Sequence, residues 1–135
     1  MNVLEKKPIK TENIKEKYYL NCCFYTKKEV AKLCWDYVLK NLFKKKSIDE
    51  YLFIEPSAGE ECFFDLLPKN KIGIDLEPIR KEYLITDYLK YVIPLNKNIV
   101  VIGNPPFGKR GDIALKFIEH SKNAKYVCFY ITNVL

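Results

Sequence analysis

Asn104-Pro105-Pro106-Phe107 is the densest piece of chemistry in the sequence. Two consecutive prolines fix the backbone beside Asn104, which presents its side-chain amide carbonyl as an acceptor. The backbone carbonyl of Pro105 supplies a second acceptor, and Phe107 offers a flat face. Two acceptors beside an aromatic plate suit a planar base that carries an amine. As a bare pattern these residues could equally form a rigid loop, so the rest of the chain has to decide.

Three acidic positions belong with that loop. Glu55-Pro56-Ser57-Ala58-Gly59 is a turn of small residues, whose backbone N–H groups can approach a ligand closely. Asp75 follows Glu55 by 20 positions, the spacing at which an α/β nucleotide site sets an acid against ribose hydroxyls. Asp87-Tyr88 places a third carboxylate. Taken singly, a Pro-Gly turn is usually only a turn, and an acid that ends a strand usually caps a helix. Together the three acids suit a ligand with several hydroxyls and an amino group. A phosphate-rich cofactor would be repelled, and the chain has no Walker-type Gly-Lys-Ser/Thr.

Those positions fall at the ends of short apolar runs. The spacing predicts strands over 51–54, 71–75, 83–86, 99–102 and 126–131, with a short helix before Pro68 and another helix over about 112–121. Ahead of them, Thr26-x-x-Glu29 forms a capping box with Tyr25 and Val30 as a hydrophobic staple. Val30, Leu33, Cys34, Tyr37, Val38 and Leu42 then recur at helical spacing, predicting a helix over about 27–45. Trp35 falls on its more polar flank, where an interface is one reading and a partly buried site the commoner one. Strands alternating with helical crossovers argue for an α/β fold with a doubly wound, mostly parallel sheet. Ligands of such sheets bind beyond the carboxyl ends of the strands, near the point where strand order reverses.

With these motifs in order, the chain resembles the S-adenosylmethionine-dependent amino-methyltransferases that act on adenine N6, in the gamma-type order. Their Asn/Asp-Pro-Pro-aromatic motif matches Asn104, Pro105, Pro106 and Phe107, and their acidic-Pro-x-Ala-Gly motif matches Glu55, Pro56, Ser57, Ala58 and Gly59. The second-strand acid matches Asp75, with Leu76 beside it in the cofactor site. The third-strand pair matches Asp87 and Tyr88, and an aromatic-Thr element matches Tyr25 and Thr26. The match covers about residues 20–131, and Glu61 stands where members usually carry a second glycine. The resemblance implies a Rossmann-like class I methyltransferase domain over 21–135, preceded by an arm over 1–20. It implies S-adenosyl-L-methionine as cofactor, Asn104 through Phe107 as the catalytic loop and the other matched residues as the cofactor site. In it Asp75 would hold the cofactor ribose, and Asp87 would accept from the cofactor's adenine amine. Family members continue past the fifth strand into further strands and a target-recognition region. On this expectation the domain is C-terminally incomplete at Leu135, or a second chain supplies the rest.

Composition narrows the classes without choosing among them. The 135 residues are one domain's worth of chain, and apolar runs of a handful of residues leave no transmembrane helix to expect. The N-terminus has no apolar signal segment, so an intracellular protein is expected. Cys22, Cys23, Cys34, Cys62 and Cys128 form no CxxC pair, and only one His is present, which argues for buried thiols over a zinc site. Residues 1–50 carry twelve Lys and no Arg against seven acids, so most of the +6 formal charge lies there. That asymmetry suits a nucleic-acid partner, DNA before RNA on family frequency, or equally a set of solvated helix faces. Lys109 and Arg110, directly after the Pro-Pro loop, could contact phosphates or be plain surface charge. His120 reads as a helix-dipole partner or as a solvated side chain. Two other readings stay open: a cofactor-binding subunit without turnover, and methylation of RNA or of protein glutamine amides.

Overall fold

The computed structural model describes residues 3–6 and 24–26 as backbone, and residues 28–43, 47–59, 63–95 and 97–131 with their side chains. Strand β1 (Val3–Lys6) pairs antiparallel with β2 (Phe24–Thr26), with a register irregularity between Val3 and Lys6. Part of the expected N-terminal arm is therefore a strand. Helix α1 (Lys28–Leu42) follows, and then β3 (Leu52–Glu55), β4 (Lys71–Asp75) and the two-residue β5 (Leu84–Ile85). Strand β6 (Ile99–Gly103), helix α2 (Asp112–His120) and β7 (Tyr126–Phe129) complete the order. The helix expected before Pro68 is a single 3-10 turn, Phe64–Leu66.

Five strands make one all-parallel sheet in the order β5-β4-β3-β6-β7. The strand earliest in sequence sits at the centre. From it the chain steps outward through β4 to β5, then returns to add β6 and β7 on the other side. Strand order therefore reverses between β3 and β6, the point at which sheets of this kind open a ligand crevice at their carboxyl ends.

Alternation along the two central strands feeds two cores. Phe53, Val100 and Ile102 meet Ala31, Trp35 and Val38 of α1, with Phe43, Phe63 and Leu67. Ile54, Ile99 and Val101 meet Ile113 and Phe117 of α2, with Tyr88 and Ile93. Both faces of the sheet are thus covered, which is why β3 and β6 read as unbroken apolar runs.

Two side chains on α1 reverse the sequence expectation. Leu33 and Tyr37 are exposed, whereas Trp35 is buried and meets the Phe53 ring edge-on at 5.7 Å. The buried stripe is Ala31, Trp35 and Val38, with Leu42 half-buried. Apolar residues occupy adjoining flanks of this helix, and the larger aromatic surface of Trp35 takes the sheet side.

Gly73 on β4 marks a close approach. A Cβ there would lie 2.6 Å from Tyr83 Cδ1 and 2.9 Å from Phe64 Cε1, two rings packed edge-to-face at 5.0 Å. Both rings are buried, so neither can swing clear. We expect Gly73→Ala to cost about 1–3 kcal/mol through overpacking, lowering the melting temperature by roughly 4–12 °C. Thermal unfolding followed by circular dichroism checks this, and an unchanged melting temperature contradicts the packing argument.

Candidate functional site at the strand-order reversal

Glu55 ends β3 and is 3% exposed. It packs against β6: an ideal Cβ at Gly103 would lie 3.0 Å from Glu55 Cγ. Its Oε1 has no hydrogen-bond partner among the described residues. Burial, then the nearby Asp75 and Asp65 carboxylates, push the Glu55 carboxyl well above the usual range. The backbone of Phe64 and the Lys71 ammonium pull weakly the other way. A wholly buried acid with an unused oxygen is a costly arrangement in a fold that needed only packing there.

The turn beyond Glu55 is braced on both sides. The Ala58 N–H donates to the Ile74 carbonyl at 2.8 Å, and the Gly59 N–H donates to Asp75 Oδ2 at 2.8 Å. The other Asp75 oxygen accepts the Glu77 N–H at 3.0 Å, which folds the loop after β4 back over the strand end. Across the reversal point, Ser57 Oγ donates to the Asn104 backbone carbonyl at 2.9 Å. Gly59 has φ of 56°, the left-handed region that glycine tolerates. Among the described residues, a Cβ there would meet the Ser57 carbonyl, at 3.9 Å.

On the β6 side, Pro105 and Pro106 are buried, while Asn104 and Phe107 are half-buried. The Phe107 carbonyl accepts the Ala114 N–H at 3.3 Å, fastening the loop to α2. The Phe107 ring lies beneath Gly111, where a Cβ would come within 3.2 Å of Cζ. Gly111, at φ of 79°, lets the backbone pass over the ring.

The matched residues therefore divide. Glu55, Pro56, Ser57, Ala58, Gly59, Asp75 and Asn104 come together at the reversal point, and Pro105 to Phe107 continue from it. Leu76 is half-buried next to Asp75. Asp87 accepts the Leu89 N–H at 3.0 Å and caps the 3-10 turn Tyr88–Lys90. Tyr88 lies in the α2-side core with no exposed surface. Its hydroxyl is 2.6 Å from Ser121 Oγ, which in turn donates to the Phe117 carbonyl at 2.6 Å. Ser121 has one proton, so Tyr88 is the donor to it. Burial pushes the Tyr88 phenol up to about 12. Tyr88 thus packs within the α2-side core. The side chains of Tyr25 and Thr26, with the capping box that includes Thr26, lie outside the described residues, as does Glu61.

Two roles escaped sequence reasoning for the same reason. His120 Nε2 bonds the Tyr91 carbonyl at 2.7 Å and its ring meets Tyr88 edge-on, so it ties α2 to a loop 29 residues earlier. The Ser57–Asn104 brace spans 47 residues. Nothing local announces either contact. Cys34 and Cys128 are free and half-buried, and burial pushes the Cys128 thiol up to about 11. Among the described residues no helix is long and apolar enough to cross a membrane.

No family model matches the chain, and neither does any curated protein or solved structure. Any functional reading therefore rests on the residues at the reversal point.

Proposed function

We propose that the chain is an S-adenosylmethionine-dependent methyltransferase acting on the exocyclic N6 amine of adenine in nucleic acid, DNA before RNA. The observation that carries this reading is the bracing of the Pro56–Gly59 turn to Asp75 on one side and to Asn104 on the other. Motifs scattered over the sequence thereby share one crevice, where α/β sheets bind their ligands.

The residues fit the cofactor's chemistry. Glu55 Oε1 is a buried acceptor without a donor, and an ammonium or sulfonium cation in the crevice would compensate its charge. Asp75 would hold ribose hydroxyls while its carboxylate shapes the same turn, and Leu76 would line the site beside it. When bound, the cofactor supplies an electrophilic methyl group.

The chain's own contribution is orientation and electrostatics. The Asn104 side-chain carbonyl and the Pro105 backbone carbonyl would accept the two N–H groups of the target amine. That favours a more tetrahedral nitrogen and stabilises the positive charge that develops on it. Phe107 would stack on the extruded base and partly offset the cost of unstacking it. No strong base is required, because the nitrogen is acidic once alkylated and its proton can pass to water.

The test incubates the full chain with methyl-labelled cofactor and, separately, adenine-containing DNA, the matching RNA and a glutamine-containing peptide. Label recovered as N6-methyladenine in DNA is the expected result. Label on the peptide alone, or on none of the three, overturns the reading.

A further inference from the structure

Lys109 and Arg110 ride on the turn that covers the Phe107 ring, between Gly108 at φ of 77° and Gly111 at φ of 79°. Arg110 itself has φ of 55° and ψ of 27°, and is the one non-glycine with positive φ among the described residues. L-residues adopt that conformation at a cost, and glycine would not. A strained backbone at this position calls for a gain elsewhere.

The side chain makes no such gain within the fold. Lys109 and Arg110 are both exposed. Neither has an ion pair or side-chain hydrogen bond among the described residues. The nearest acid in sequence, Asp112, turns Oδ1 to the Ile113 N–H at 2.8 Å. Arg80 shows the contrast, since it is held by Asp65 at 2.7 Å and Glu82 at 2.8 Å. The two uncompensated cations are also stiffly mounted, with buried Pro105 and Pro106 on one side of the loop and α2 on the other.

We infer that Lys109 and Arg110 contact the phosphates flanking the target base, so that this turn selects a polyanionic strand over a protein amide or a free base. The inference rests on the function proposed above and adds the residues that would hold its strand. A base stacked on the face of Phe107 that Gly111 leaves uncovered would bring its flanking phosphates near the turn, whose exposed residues are these two cations. A glutamine side chain in the same place would bring nothing to pair with them.

Fluorescence anisotropy with the full chain and end-labelled, adenine-containing oligonucleotides tests this over about 50 to 200 mM salt. Arg110→Gly removes the charge and relaxes the backbone. It is expected to weaken binding about three- to tenfold at low salt, and to reduce the slope of log affinity against log salt by about 0.9 on duplex or 0.7 on single strand. The same variant is expected to melt at a higher temperature. Arg110→Lys keeps the charge and should keep the slope. Lys40→Ala, an equal loss of charge from exposed α1, should leave the slope alone. An unchanged slope in Arg110→Gly, or an equal change in Lys40→Ala, overturns the inference. Methyl transfer to DNA with an unaltered slope would sink this inference alone. Salt-dependent binding lost in Arg110→Gly, without transfer by the wild-type chain, would sink only the catalytic reading.

Discussion

Asn104→Ala is expected to lower the rate of methyl transfer by about 10²–10³-fold, the loss typical of one preorganised group that faces developing charge. The side chain supplies one of two acceptors for the target amine, and Pro105 alone cannot orient both N–H groups. Ser57 bonds the backbone carbonyl of residue 104, which alanine retains, so the brace across the crevice stays in place. Single-turnover transfer of labelled methyl gives the rate, and thermal unfolding shows that the variant is folded. Asn104→Asp keeps an acceptor oxygen and should recover part of the loss. A folded Asn104→Ala variant within about threefold of the wild-type rate would falsify the assignment of the loop.

The second large effect concerns Glu55→Gln, where binding and stability should move in opposite directions. Glu55 holds its proton to higher pH in the folded chain than in the unfolded one. The folded state therefore binds more protons between the two pKa values, and stability falls as pH rises through that window. Below the unfolded value the penalty is absent, and above the raised folded value it is complete. Glutamine has no such titration. The variant should gain melting temperature over wild type by a margin that widens from pH 5 to pH 8. Cofactor affinity should fall by about two orders of magnitude, because a bound cation loses its buried counter-charge. In the wild-type chain affinity should rise with pH through the raised Glu55 pKa, with release of a proton on binding. Calorimetry in buffers of different ionisation enthalpy measures that release. A Glu55→Gln chain that binds cofactor like wild type, or that melts lower at pH 8, removes Glu55 from the site.

Much of the sheet could be read from sequence because its signals are local. Ile99-Val-Val-Ile102 is β-branched and bounded by turn residues, and it becomes β6 with Gly103 added. Lys71–Asp75 forms β4 over the expected span. Helix α2 covers 112–120 against an expectation of 112–121. The expected α/β architecture is present as a five-stranded parallel sheet covered on both faces. What stayed hidden depends on partners far away in sequence. Trp35 and Leu33 are both apolar enough for the inner face of α1, and only the ring of Phe53 decides between them. Tyr88 follows a strand-end acid as a binding residue would, yet Ser121 and Phe117 of the second core claim it. Glu55 could be placed at a strand end, but its burial against Gly103 and the orphaned Oε1 depend on β6, far away in sequence.

The brace between Ser57 and Asn104 also has a consequence for when the crevice comes into being. Its two halves are contributed by the chain before residue 86 and after residue 98, and they meet only through the pairing of β3 with β6. That parallel pairing closes a long loop and is among the slower contacts for a chain to make. The first half carries the turn braced on Asp75, but Asn104 joins it through the pairing of β3 with β6, so the site is complete once that pairing is made. Whatever ligand fills it must favour the fully folded chain, and its affinity and concentration become a direct lever on how long that chain stays folded.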